Sequence, residues 1–135
     1  MVEPAAPIHP RLRPPQGLLR RRVASFGHAV RGVWAALRSE VHLQFHAVAT
    51  VVVVGLGFYY HLARLEWALV ALAVAGVWAA ELVNTAIEAL TDLASPAYHP
   101  LAGKAKDVAA GAVLLAALGA LVVGVLVFGP KLFPQ

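Results

Sequence analysis

Glu81, Asn84, Glu88 and Asp92 follow one another at spacings of three and four residues. At about 100° per residue, positions 84, 88 and 92 fall in a narrow arc around 81, so one helix face carries all four. The surrounding segment, Trp67 to Leu90, is otherwise almost wholly apolar. A carboxylate in hydrocarbon is costly, so acids in a membrane-spanning helix face a bundle interior and mark chemistry or transport. This stripe offers hard oxygen ligands for a cation such as Mg²⁺ and a carboxylate that can act as general base.

The elements that must position these groups are membrane helices. The chain has 135 residues, one domain's worth, and 60% of them are hydrophobic. Mean hydropathy is +0.73, more apolar surface than a soluble domain of this size can hide. Cysteine is absent, which excludes disulfides, thiolate metal sites and a cysteine nucleophile. The net charge of +4 is unevenly spread: Arg11, Arg13, Arg20, Arg21, Arg22, Arg31 and Arg38 precede position 40. Beside membrane spans, such a cluster reads as a cytoplasmic flank attracted to anionic lipid. No nucleic-acid partner is expected. Residues 1–16 hold five prolines and two arginines and no apolar core, so they read as a disordered tail and not as a secretory signal.

From residue 17 to 135 the chain reads as one membrane domain. A helix is expected from about Leu18 to Gln44, with Phe26, Val30, Val33, Leu37 and Val41 at helical spacing and Arg31, Arg38 and His42 pointing away. Such a helix lies in the membrane interface. Glu40 falls at the edge of its apolar arc, where an acid needs a partner. Three spans follow, at about 45–62, 65–90 and 108–128, the last without any charge. The expected fold class is therefore all-α and integral to the membrane: three transmembrane helices plus an N-terminal amphipathic surface helix. A short link near Ala63-Arg64 makes the first two spans an antiparallel hairpin. Ser95-Pro96 and His99-Pro100 break the 91–107 link, and Lys104, Lys106 and Asp107 close it. Arginine counting puts the N-terminus and that link in the cytoplasm.

This topology brings Glu40, Glu88, Asp92, Lys106 and Asp107 to one cytoplasmic level. Glu81 lies roughly 10 Å deeper at 1.5 Å per residue. Glu40 and Glu88 could hold Mg²⁺ through one or two carboxylates, with phosphate and water completing the shell. Lys106 could meet the same phosphates as a point charge. Glu81 could take the proton of a hydroxyl at headgroup depth, with Asn84 orienting the group. The layout suggests phosphoryl transfer from a soluble nucleotide to a lipid alcohol. Neither a Walker A pattern nor a protein-kinase glycine loop is present in the sequence.

Two stretches carry a resemblance. Glu81-Leu-Val-Asn84-Thr-Ala-Ile-Glu88-Ala-Leu-Thr-Asp92 and Tyr98-His99-Pro100-Leu-Ala-Gly-Lys104-Ala-Lys106-Asp107-Val-Ala-Ala-Gly111-Ala resemble the signature of the prokaryotic diacylglycerol kinase family. The nearest branch is the Gram-positive type, which includes undecaprenol kinases. Ser25-Phe26, Ala29, Gly32, Glu40, His46 and Leu65-Glu66-Trp67 also sit where that branch has them. His42 and Trp34 depart from it, the first in place of a common asparagine.

The resemblance implies a homotrimer in the bacterial inner membrane, with active sites between subunits. It implies Glu81 as proton acceptor and lipid contact, Asn84 as its support, and Glu40 and Glu88 as ligands of Mg²⁺ beside ATP. Tyr98, His99, Lys106 and Asp107 would contact the nucleotide, joined by Arg21 and His28 from the surface helix. Undecaprenol is the acceptor it favours, with diacylglycerol as the alternative. A reading of another class is a non-enzymatic membrane oligomer whose acids line a cation path. The uniformly apolar outer half of each span argues against that path.

Overall fold

A computed structural model describes residues 18–132, with side chains from Arg22 onward. The expected tail, residues 1–16, and the side chain of Arg21 lie outside the described residues. Four helices make up the described chain: α1 (Leu18–Ser39), α2 (Val41–Tyr59), α3 (Arg64–Ala94) and α4 (Pro100–Leu132). The last three are long and apolar enough to cross a membrane. The chain divides after Gly32 into two compact units. In the first, the Arg31 guanidinium meets His28 Nδ1 at 2.9 Å. The second holds the end of α1 and all of α2, α3 and α4.

The expected helix through Gln44 is broken at Glu40. Its backbone is extended there, at φ −101° and ψ 116°, and it stands at the N-cap of α2. The break costs little hydrogen bonding. Glu40 N–H donates to the Ala36 carbonyl at 2.9 Å, and Gln44 N–H donates to the Glu40 carbonyl at 3.1 Å. The first apolar helix therefore starts at Val41 and not at Phe45. No glycine or proline marks the place, which is why the sequence pattern runs through it.

α2 ends in a Schellman turn. Leu62 N–H reaches back to the Gly57 carbonyl at 3.0 Å and His61 N–H to the Phe58 carbonyl at 3.2 Å. His61 takes the left-handed conformation this turn needs, with φ 52°. Gly57 lets the rings in: a Cβ there would lie 2.6 Å from the Trp67 ring. Leu62, Val70, Val127 and Phe128 form the apolar core at this end, with Val53, Tyr60, Trp67, Val74 and Val123 packed on it.

α3 and α4 form the main packed pair, and α2 meets α3 over a shorter stretch. With 31 and 33 residues, α3 and α4 are about 46 and 50 Å long at 1.5 Å per residue. A hydrocarbon core is about 30 Å thick, so both have turns to spare. The 91–107 link is correspondingly short, because helix occupies all of it but residues 95–99. Hydropathy marks the part of a helix that suits lipid, not where the helix ends. Pro100 sits at the first helical position of α4, and His99 Nδ1 accepts the Leu101 N–H at 3.2 Å.

Candidate active site

The acidic stripe is one face of α3, as its spacing requires. Glu81 is buried, at 5% exposure, and is the buried charged residue among those described. Its Oε1 lies 3.1 Å from His46 Nε2 on α2. This contact ties α2 to α3 at the inner end of the stripe. His46 is a residue that sequence reasoning left without chemistry. The signal was its place four residues before Thr50 in an apolar segment, where a histidine needs a polar partner as much as a glutamate does.

One turn along α3, Asn84 Nδ2 donates to Glu88 Oε1 at 2.9 Å. The Asn84 Oδ1 atom is buried without a partner. A second hard oxygen thus stands beside the Glu88 carboxylate, ready to accept from a donor or to face a cation. Thr91 turns inward on its own helix, bonding the Ile87 and Glu88 carbonyls at 2.8 and 2.9 Å. Asp92, at the end of the stripe, is exposed and takes an ion pair from Lys106 across the α3–α4 hairpin.

Glu40 is half-buried, and its Oε1 accepts from Ser39 Oγ at 3.1 Å. No group of three potential metal ligands forms among the described residues. Tyr98 and Asp107 are exposed. A cleft of about 210 Å³ at the hairpin is lined by Asp92, Ser95, Tyr98, His99, Gly103 and Lys106. His99 spends Nδ1 on the α4 cap, leaving Nε2 for other partners. So the structure joins Glu81 to His46, Asn84 to Glu88, and Lys106 to Asp92 and the hairpin cleft. It does not join Glu40 to Glu88 within one chain through any of these bonds.

Comparison with known proteins decides what this arrangement belongs to. The sequence profile of prokaryotic diacylglycerol kinase matches residues 27–128. The chain belongs to the prokaryotic diacylglycerol kinase family. An undecaprenol kinase of Bacillus subtilis is 46% identical over 114 residues, 84% of this chain and 93% of that protein. A diacylglycerol kinase of Synechocystis is 41% identical, over 76% of this chain and 59% of its own length. The Escherichia coli diacylglycerol kinase is 30% identical, over 76% of this chain and 84% of its own. These relatives are lipid kinases, and so is this family member: ATP is its phosphate donor and a lipid its acceptor. The cation-path reading gives way to an enzyme.

Proposed function

We propose that the protein phosphorylates undecaprenol at the cytoplasmic face of the bacterial inner membrane. The observation that carries the reading is the buried Glu81 carboxylate on the spanning helix α3, in line with Asn84 and Glu88 toward the α3–α4 hairpin. The lipid hydroxyl approaches Glu81 from the hydrocarbon side, and the nucleotide approaches from the hairpin side.

The reaction runs as one displacement. The lipid hydroxyl gives its proton to Glu81, its oxygen bonds to the γ-phosphorus, and the bond from that phosphorus to the bridging oxygen breaks. ADP leaves with the electron pair, and protonated Glu81 later returns its proton to water. Such transfer rests on positioning and on charge neutralisation. The unpartnered Asn84 Oδ1 beside the Glu88 carboxylate fits a hard divalent cation. Glu88 would hold Mg²⁺, and Glu40 with it. A divalent cation held by these residues would offset the negative charge of the nucleotide phosphates. Lys106, His99 and Tyr98, which line the hairpin cleft, meet the nucleotide along with Asp107.

A homotrimer with shared sites supplies what one chain does not. Glu40 would meet the Glu88 of a neighbour, and the large exposed residues of α2 and α4, such as Val51, Phe58, Leu115 and Leu126, would be divided between neighbouring subunits and lipid. The identity to the Bacillus subtilis undecaprenol kinase favours a polyprenol over diacylglycerol. The test is transfer from labelled ATP with Mg²⁺ to undecaprenol and diacylglycerol competing in one mixed micelle. Label chiefly in the polyprenol is expected. Label chiefly in diacylglycerol replaces the acceptor. No label in either lipid above a Glu81→Gln control overturns the proposal.

A further inference from the structure

Two polar rungs join α2 to α3. The first is His46 Nε2 to Glu81 Oε1, at 3.1 Å. In the second, Trp78 Nε1 donates to Thr50 Oγ1 at 3.0 Å. Thr50 Oγ1 in turn donates to the His46 carbonyl at 2.7 Å. The rungs are spaced by four residues on α2 and by three on α3, so antiparallel helices bring both into register at once. Below them lies a small cleft of about 110 Å³, lined by His46, Thr50, Val53, Val74, Trp78 and Ala120. The Glu81 side chain is 7% exposed and that of His46 is 20% exposed, so the first rung is shut off from most of the surroundings.

We propose that His46 is a positioning residue for the transfer, acting through Glu81. This rests on the reading of Glu81 as proton acceptor. A glutamate side chain has three rotatable bonds, and a general base must sit within hydrogen-bond reach of its proton. The His46 N–H anchors Oε1, which fixes the carboxylate plane and aims Oε2 at the lipid hydroxyl. Oε2 takes the hydroxyl proton while Oε1 stays bonded to His46, so the imidazole neither gains nor loses a proton in the step. The second rung holds α2 in place but touches neither Glu81 nor the lipid hydroxyl. It therefore serves as an internal control for helix register alone.

The experiment compares His46→Ala, His46→Gln and Thr50→Val with the parent and with Glu81→Gln. All are purified as the full chain, with kcat and KM measured for both substrates and a thermal midpoint for each. His46→Ala should lower kcat for the lipid by about ten- to a hundredfold, the scale of a misplaced catalytic group, with the KM for ATP within twofold of the parent's. His46→Gln keeps an N–H at similar reach and should recover most of that loss. Thr50→Val should lower the thermal midpoint with kcat within about threefold. Should His46→Ala fail to assemble, His46→Asn, whose shorter amide falls short of Glu81, replaces it with the same expectation. The inference is overturned if His46→Ala keeps the parental kcat while Glu81→Gln is inactive. It is equally overturned if His46→Gln is as slow as His46→Ala, or if Thr50→Val loses kcat to the same extent. A fully active Glu81→Gln variant would instead remove the assignment of Glu81 itself.

Discussion

The two halves of α3 obey different rules. From Glu66 to Val77 it is built for packing. Val70 and Val77 are buried, Val70 within the cluster that includes Leu62, Val127 and Phe128. The ends are closed by Glu66, which accepts the Ala63 N–H at 2.7 Å and pairs with Lys131 at 3.0 Å. The carboxylate there, Glu66, has its partners in the same chain. From Glu81 to Asp92 the helix is built otherwise. Glu81 meets His46 of a neighbouring helix at 3.1 Å, Asn84 leaves an oxygen unpartnered, and Asp92 is exposed. A buried polar atom without a bond is costly, so such a stretch persists where its groups serve a substrate. One half holds the hairpin together, and the other is left open for the reaction.

That contrast can be broken by substitutions that should affect one half and spare the other. Glu81→Gln removes the base without removing volume, and kcat should fall by about 10²–10⁴-fold with the thermal midpoint unchanged. Glu88→Gln should come next. At fixed ATP, the Mg²⁺ concentration for half-maximal rate should rise at least about tenfold, as read from a Mg²⁺ titration. In the packed half, Gly57→Val drives a side chain into the Trp67 ring. Overpacking of this kind costs about 1–3 kcal/mol, so the thermal midpoint should drop while kcat well below it stays near the parent's. The smallest effect belongs to Asp92→Asn. Its Oδ1 partner Lys106 remains, and both side chains are more than a third exposed, so thermal denaturation should register less than about 1 kcal/mol. Should Gly57→Val abolish transfer at low temperature, the division between the halves fails.

Much of this was legible in residue order. The stripe needed only helical spacing, and the three long helices needed only apolar length. The resemblance in the 81–111 block led to the family that the comparisons show. What escaped had physical reasons. The turn at Glu40 leaves no glycine or proline behind, since it keeps its hydrogen bonds through Ala36 and Gln44. The helical turns beyond residues 90 and before 108 are polar, and hydropathy is blind to a helix that has left the lipid. Sequence pattern gives His46 no role because its partner is 35 positions away. Periodicity relates residues along one helix, and only the α2–α3 register relates those on two.

The most direct test of the account uses Glu81→Gln in single turnover. Labelled ATP with Mg²⁺ is first titrated onto the parent and the variant, and lipid alcohol is then added to both at equal occupancy. Equal binding, with transfer only in the parent, is the expected result, because Glu81 acts on the lipid hydroxyl and not on the nucleotide. Transfer by the variant at the parental rate would contradict it.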